Sequence, residues 1–213
     1  CEKPLVINPW NLDPLEELEA ETGKRIFTVL QLRVHPELMR LKEQIAQAGP
    51  GQRDVVLTYI TARGGWYHTS WKGVGEKSGG IATNIGIHFF DLLLWLFGPA
   101  GECRVHHVDE RRMGGFMELE KARVRWFLSV DSNDLPFALE AGKRSTFRSI
   151  TVDGQEIEFS EGFTDLHTRV YEKTLAGEGF GIADARPSIT LTHRIRSAAV
   201  ESGGSEIHPR LKG

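Results

Sequence analysis

The chain has 213 residues, of which 40% are hydrophobic and 26% are charged, and its formal net charge is -3. This composition is typical of a globular protein with a proper core, and the small negative charge gives no reason to expect nucleic acid or an anionic membrane as a partner. The two cysteines, Cys1 and Cys103, are too few for a disulfide framework, so we expect a reducing, cytoplasmic setting.

The first 32 residues alternate between strand-like and helix-like segments. The apolar run Leu5–Ile7 is predicted as the end of a strand, and a helix follows Pro9 and ends at Gly23. The β-branched and aromatic segment Arg25–Leu32 is predicted as a second strand. Strand, helix and strand in this order are typical of an α/β fragment, so we place a domain boundary after residue 32.

From residue 33 onward, strands follow one another without helices between them. Helices are predicted from Pro36, over Ile81–Phe97, and over the two closing segments Thr164–Ala176 and Pro187–Val200. The predicted strands, which share apolar or alternating patterns, are Asp54–Ala62, Glu102–Asp109, Gly115–Leu119, Ala122–Val130, Ser145–Val152 and Glu156–Phe159. Consecutive strands favour antiparallel pairing. We therefore predict an α+β fold for residues 33–213, with an open-faced, mainly antiparallel sheet and helices on one face.

The tripeptide Glu2-Lys3-Pro4 is the first candidate for chemistry. Ligands of α/β sheets bind at strand ends, and a proline there holds the lysine in a rigid position. A solvated ion pair before a turn explains the same three residues, and the tripeptide alone does not decide between the two.

The second candidate is the segment Gly79–Asp91, an apolar helix that contains polar residues. Asn84 and His88 are four residues apart and share a helix face, and Asp91 lies one turn further on. These polar residues also make the apolar run too short for a membrane span, so we expect a buried helix. Because an unpaired buried polar group costs about 1–3 kcal/mol, the three residues either form a network in the core or face a cleft. Both alternatives stay open.

These two segments together carry a family resemblance. E-K-P at residues 2–4, G-G-I-A-T-N-I-G-I-H-F-F-D at residues 79–91 and the all-β stretch after them resemble the glucose–fructose oxidoreductase / inositol dehydrogenase family over essentially the whole chain. The resemblance implies an NAD-binding Rossmann domain followed by an open-faced sheet domain. Residues 1–32 then correspond to a remnant of the Rossmann domain, and residues 33–213 to the substrate-binding and oligomerisation domain.

The same resemblance implies roles for single residues. Lys3 matches the lysine that contacts the nicotinamide ribose and the substrate hydroxyl, and Glu2 and Pro4 flank it as cofactor-binding residues. His88 matches the histidine that removes the proton of the oxidised hydroxyl. Many members carry aspartate where this chain has Asn84, so carboxylate-assisted proton transfer is not expected at that position.

Within the family, the chain is most similar to bacterial UDP-N-acetylglucosaminuronate 3-dehydrogenases. The resembling segments are A-R-G-G-W-Y (62–67), N-I-G-I-H-F-F-D (84–91), L-H-T-R-V-Y-E (166–172) and G-F-G-I-A-D-A-R-P-S-I (179–189). This likeness implies oxidation of the 3-hydroxyl of the UDP-sugar, a step toward the diacetamido uronic acids of O-antigens in lipopolysaccharide. A free sugar or cyclitol is the alternative substrate.

The loop after residue 62 is predicted to bind the nucleotide sugar, because a diphosphate and a uronate need fixed cations and a uracil ring needs aromatic partners. The candidates in this loop are Arg63, Gly64, Trp66, Tyr67, Trp71 and Lys72. An exposed loop with its aromatic side chains folded underneath remains the alternative.

Two kinds of site are missing from the sequence. No G-x-G-x-x-G follows a strand, so we expect that this chain alone does not bind NAD and that it was cut from a longer protein by design or by cleavage. No cysteine and histidine cluster has the spacing of metal ligands, and no metal is predicted.

The open face of the predicted sheet is a candidate interface with other subunits. It would expose Val124, Trp126 and Leu128, or the opposite set Ala122 and Phe127, so we expect a homo-dimer or tetramer through this face. A non-catalytic assembly module that uses the same face is the alternative from another functional class.

Overall fold

Six strands form one sheet in the order β2-β3-β4-β1-β5-β6 in the computed structural model, which describes residues 1–71, 75–140, 144–202 and 204–212. The strands are β1 (Arg53–Thr61), β2 (Ala100–Val108), β3 (Arg112–Leu119), β4 (Ala122–Ser129), β5 (Thr146–Val152) and β6 (Gln155–Glu158). The helices are α1 (Asp13–Thr22), α2 (Pro36–Gln47), α3 (Gly65–Thr69), α4 (Gly75–Ser78), α5 (Ile87–Phe97), α6 (Leu166–Leu175) and α7 (Ile182–Ser197). All six predicted strands are present, with bounds shifted by a few residues, and the α+β prediction is confirmed.

Strand pairing is antiparallel throughout the sheet except between β1 and β4, which run parallel. Parallel neighbours require a long crossover, and here the crossover contains helices α3 to α5 and the hairpin of β2 and β3. The prediction of a mainly antiparallel sheet is therefore confirmed, with one parallel pair at its centre.

The face of the sheet under the helices forms the main core. Side chains alternate between the two faces of a strand, so Leu57 of β1 and Trp126 of β4 point to the same side and are fully buried there. Phe89 and Phe90 of α5 pack into the same cluster, and the Phe90 ring meets Trp126 edge-on at 5.4 Å. A helix that is apolar on all sides belongs inside a protein, and α5 lies there.

The stretch Gly75–Phe97 is long and apolar enough to cross a membrane by length and composition alone, yet 72% of its most apolar window is buried in the protein. Gly86 lets this stretch approach the sheet closely, since a Cβ there would lie 2.8 Å from Cδ1 of Leu128. The stretch is therefore the core helix of the domain, as its interrupting polar residues predict.

The opposite face of the sheet is covered by segment 204–212. The His208 ring stacks on Phe127 with centroids 5.4 Å apart, and Glu206 forms ion pairs with Arg104 and Arg123. We expected one face of the sheet to expose apolar residues of β4, but Ala122, Val124, Trp126 and Leu128 lie in the main core under the helices, and Phe127 on the opposite face is buried beneath His208. The exposed apolar patch was therefore the wrong reason for expecting a homo-oligomer, and association through this face remains a prediction.

The N-terminal segment contains no regular strand. Leu5–Ile7 and Arg25–Leu32 were expected as strands, but they are irregular apart from a 3-10 turn at Gln31–Val34. Thr28 N–H donates to the Phe180 carbonyl at 2.8 Å, and Val29 N–H donates to Cys1 at 3.0 Å. These single bonds do not make a ladder, although the apolar and β-branched content of both segments favours a strand.

Helix α7 begins five residues before its predicted start at Pro187. The Asp184 carboxylate accepts a hydrogen bond from Gly181 N–H at 2.9 Å and closes the helix N-terminus at Ile182. Pro187 consequently lies inside the helix rather than in its first turn, which was the expected position.

Candidate active site

The approach to helix α5 has an unusual backbone. Gly79 and Gly80 both have positive φ angles, and a Cβ on Gly79 would lie 2.2 Å from the Thr83 hydroxyl oxygen. A π-helical turn follows over Ala82–Gly86 and runs into α5. Such turns frequently occur at functional sites, because the extra residue changes the directions in which neighbouring groups point. Asn84 lies in this turn, and His88 lies just after it.

The N-terminal tripeptide meets this helix. The Lys3–Pro4 peptide bond is cis, and the Lys3 ammonium donates a hydrogen bond of 2.5 Å to the main-chain carbonyl of Asn84. Lys3, Pro4 and His88 line one small cavity, which we call the Lys3–His88 cavity, with Thr28 among the other lining residues. The two residues that the sequence proposes as an acid–base pair are thus brought together across 84 residues of chain.

The His88 imidazole is half-buried, and no group among the described residues forms a hydrogen bond with it. Burial lowers the pKa of His88 well below its ordinary value of 6.5, and the positive charges of Lys3, Arg148 and His167 lower this pKa further. The ring is consequently neutral at pH 7, with a nitrogen lone pair available to accept a proton. The alternative of a core histidine held in a hydrogen-bond network does not match this environment.

Asn84 joins the two sides of the site. Its carbonyl accepts from Lys3, and its side-chain amide donates to the Ser78 hydroxyl at 2.9 Å and to the Tyr67 hydroxyl at 3.4 Å. The amide is therefore oriented by fixed partners on the loop side. An amide cannot take up a proton at neutral pH, so Asn84 can hold its neighbours in place but cannot serve as a base.

The loop residues predicted to bind the nucleotide sugar are placed differently from one another. Arg63 and Gly64 are exposed, as are the rings of Trp66 (54%) and Trp71 (58%). Tyr67 is only 3% exposed, so its ring offers no face for stacking, and its hydroxyl meets Asn84 instead. The remaining candidate of this loop, Lys72, lies outside the described residues.

Glu2, the first residue of the tripeptide, is exposed and forms an ion pair of 3.3 Å with His167 when that imidazole is protonated. His167 follows the start of α6, and its charge acts on His88. Of the predicted cofactor-binding group, Lys3 and Pro4 line the Lys3–His88 cavity, while Glu2 is exposed beside His167.

Sequence reasoning missed one cation and one phenol near the site. Arg148 of β5 stands directly opposite Tyr59 of β1 in the sheet register, with its guanidinium carbon 5.3 Å from the Tyr59 ring centroid. The charge of Arg148 lowers the pKa of His88. No local pattern marks either residue, because each owes its position to strand pairing between distant segments.

The chain resembles known oxidoreductases in sequence and in fold. A sequence model described as the oxidoreductase family, C-terminal alpha/beta domain, matches residues 42–198. The chain is similar to the WlbA (WbpB) dehydrogenase from Thermus thermophilus in complex with NAD and alpha-ketoglutarate, with 56% identity, a TM-score of 0.92, and coverage of 98% of this chain and 68% of that one. The same dehydrogenase in complex with NAD and UDP-GlcNAcA matches at 55% identity with a TM-score of 0.92, over 98% and 67% of the two chains. The WlbA dehydrogenase from Bordetella pertussis, in complex with NADH and UDP-GlcNAcA, shares the fold at 21% identity and a TM-score of 0.72, over 91% and 66%.

Proposed function

This chain belongs to the oxidoreductase family whose C-terminal alpha/beta domain it contains, and we propose that it is the substrate-binding part of an NAD-dependent dehydrogenase that oxidises the 3-hydroxyl of UDP-N-acetylglucosaminuronate. The observation that carries the proposal is the identity of 55–56% over 98% of the chain to a dehydrogenase whose structures hold NAD and UDP-GlcNAcA. The reaction is a cytoplasmic step in lipopolysaccharide sugar biosynthesis.

His88 acts as the general base in this proposal. Oxidation of a secondary alcohol removes the hydroxyl proton and transfers the carbon-bound hydrogen as hydride, which leaves a ketone. A neutral imidazole in a cavity accepts the hydroxyl proton, and the lowered pKa of His88 keeps its ring unprotonated at neutral pH. Its lack of a hydrogen-bond partner among the described residues leaves it free to meet a substrate hydroxyl.

Lys3 positions and polarises the hydroxyl. Lys3 lines the same cavity as His88, and its ammonium is tethered to the Asn84 carbonyl. A fixed cation near the oxygen that becomes negative stabilises the developing alkoxide. Asn84, held by Ser78 and Tyr67, fixes the carbonyl that tethers the lysine.

The chemistry of these residues suits a nicotinamide cofactor, because a lysine and a neutral histidine, which has no hydrogen-bond partner among the described residues, lie together beside the N-terminal tripeptide. When bound, NAD supplies the hydride acceptor. Glu2, Lys3 and Pro4 would contact its nicotinamide ribose. We propose that residues 1–32 belong with the NAD-binding domain and that residues 33–213 form the substrate-binding domain.

The substrate's remaining groups meet the loop after β1. Arg63 is exposed and has no ion-pair partner among the described residues, which suits a diphosphate. Trp66 and Trp71 present exposed rings for the uracil or the sugar. A small-molecule site of this kind is not needed by an assembly module that uses only the sheet.

The test is a substrate panel with the intact protein. We expect NAD reduction with UDP-N-acetylglucosaminuronate and a product two hydrogen atoms lighter by mass spectrometry, and slower turnover with UDP-N-acetylglucosamine, glucose or myo-inositol. Faster turnover of a free sugar or cyclitol would show that this compound, and not the nucleotide sugar, is the substrate. Absence of NAD reduction with every compound would favour the assembly module.

A further inference from the structure

Arg148 holds its guanidinium in an unusual environment. The guanidinium carbon lies 3.9 Å from the centroid of the Phe163 ring and 5.3 Å from that of Tyr59. The guanidinium also donates to the Ser160 carbonyl at 3.2 Å. The side chain is half-buried, and aromatic rings and one carbonyl fix its direction before any ligand binds. Such fixing reduces the entropy lost when a ligand is bound.

Arg148 has no carboxylate partner within the described part of the chain. Arg144, four residues away, differs in this respect: it stacks on the Phe137 ring at 4.4 Å but also forms an ion pair with Glu158. A cation withdrawn from water without a counter-charge is costly, and burial lowers the pKa of Arg148, with the Tyr59 hydroxyl opposing the effect. An anion from outside the chain would supply the missing charge.

Arg148 lies near helix α5, because the Tyr59 ring beside it stacks on Phe89, the neighbour of His88, with centroids 4.3 Å apart. The charge of Arg148 lowers the pKa of His88 in the Lys3–His88 cavity, and the charge of Arg63, at the start of the loop, lowers the pKa of Arg148. Arg148 is thus near the helix that carries His88, and it is a different residue from the one that we assign to the diphosphate.

We propose that Arg148 binds the carboxylate of the uronate ring and so selects an acidic sugar over its neutral counterpart, an inference that rests on the proposed function. In the substrate, the carboxylate and the oxidised hydroxyl belong to the same ring, so their protein partners must lie within one ring's width. A guanidinium binds a carboxylate with two parallel hydrogen bonds, which fixes the orientation of the ring as well as its charge. Arg148 is a specificity-determining residue in this scheme, and His88 keeps the proton transfer.

The test compares two ligands on the intact protein by calorimetry. We expect the wild-type protein to bind UDP-N-acetylglucosaminuronate about 10- to 150-fold more tightly than UDP-N-acetylglucosamine, the factor that a charge-assisted hydrogen bond provides. Arg148→Gln should lower the affinity for the acidic sugar by that factor and change the affinity for the neutral sugar by less than about twofold. Arg148→Lys, which keeps the charge and loses the planar fork, should retain part of the preference.

Arg144→Gln is the matched control, because it removes a ring-stacked arginine from the same part of the chain without changing the Lys3–His88 cavity. The preference for the acidic sugar should survive in this variant.

A second measurement uses the wild-type protein and therefore does not depend on whether a variant folds. Carboxylate binding next to Arg148 should neutralise its charge and raise the pKa of His88, measured by NMR, more with the acidic sugar than with the neutral one. Equal losses for both sugars in Arg148→Gln, or equal pKa changes with both ligands, would overturn the assignment. If the wild-type protein binds neither sugar, the proposed function itself fails.

Discussion

Replacing His88 by asparagine tests the catalytic assignment most directly. The variant removes the proposed base and keeps a short polar side chain in the Lys3–His88 cavity. Lys3 is engaged as a donor to Asn84 and does not replace the base, so water must take the proton. We expect kcat of the intact enzyme to fall about 10²- to 10⁴-fold, which corresponds to about 2.7–5.5 kcal/mol of activation free energy.

The pH profile adds a second measurement to this prediction. Burial and the charges of Lys3, Arg148 and His167 lower the pKa of His88, so the wild-type kcat/KM should lose activity only at pH values well below 6.5. The variant should lack this acidic limb. His107→Asn is the control, because His107 is partly exposed and paired with Asp109 at 2.8 Å at the end of β2. A His88→Asn enzyme with near-normal kcat and an unchanged pH profile would refute the assignment.

Three further predictions concern stability and substrate binding. Asp91→Ala removes the bidentate partner of Arg33, whose two hydrogen bonds measure 2.8 and 3.0 Å, while Asp184 at 3.1 Å remains as a counter-charge. The substitution should therefore cost about 1.5–3 kcal/mol in urea unfolding, and a loss below about 1 kcal/mol would contradict this. His208 has its pKa lowered to about 3 by burial, with smaller effects of nearby arginines, so its neutral form stabilises the fold above pH 6.5 and this stability is lost as the pH falls toward 3. The wild-type protein should therefore lose about 3 kcal/mol more than His208→Gln between pH 6.5 and pH 4, and parallel curves would show that His208 does not titrate there. Arg63→Ala should raise KM for the UDP-sugar about 10- to 150-fold with little change in kcat, and an unchanged KM would return Arg63 to a solvated loop.

Much of the sheet domain is readable from sequence because its signals are local. Strand alternation and the Asp153-Gly154 turn, whose φ angles are 49° and 86°, are properties of neighbouring residues, and the strand bounds come out nearly right. The N-terminal strands come out wrong because a strand also needs a continuous neighbour. The segment Arg25–Leu32 is as apolar as a strand, but its backbone forms only isolated hydrogen bonds with other segments.

The same difference between local and long-range signals separates the residues of the candidate site. Lys3 and His88 stand out in the sequence because each occupies a recognisable pattern, and the structure brings both to one cavity. Arg148 and Tyr59 occupy no pattern, since their juxtaposition depends on the register between β1 and β5. The orientation of Tyr67 is equally hidden, because an aromatic ring in a glycine-rich loop looks the same whether it is exposed or buried.

The π-helical turn at Ala82–Gly86 affects how this stretch is aligned between homologues. A turn of this type contains one residue more than a regular helical turn, so positions on its two sides are out of phase by about 100° on a helical wheel. A gap of one residue placed here would look harmless in an alignment, because hydropathy and composition barely change. In a homologue that lacks this residue, however, the carbonyl at the position of Asn84 would point away from the lysine, while the histidine on α5 would stay in place. Spacing across this turn therefore carries more information about the acid–base pair than residue identity within it.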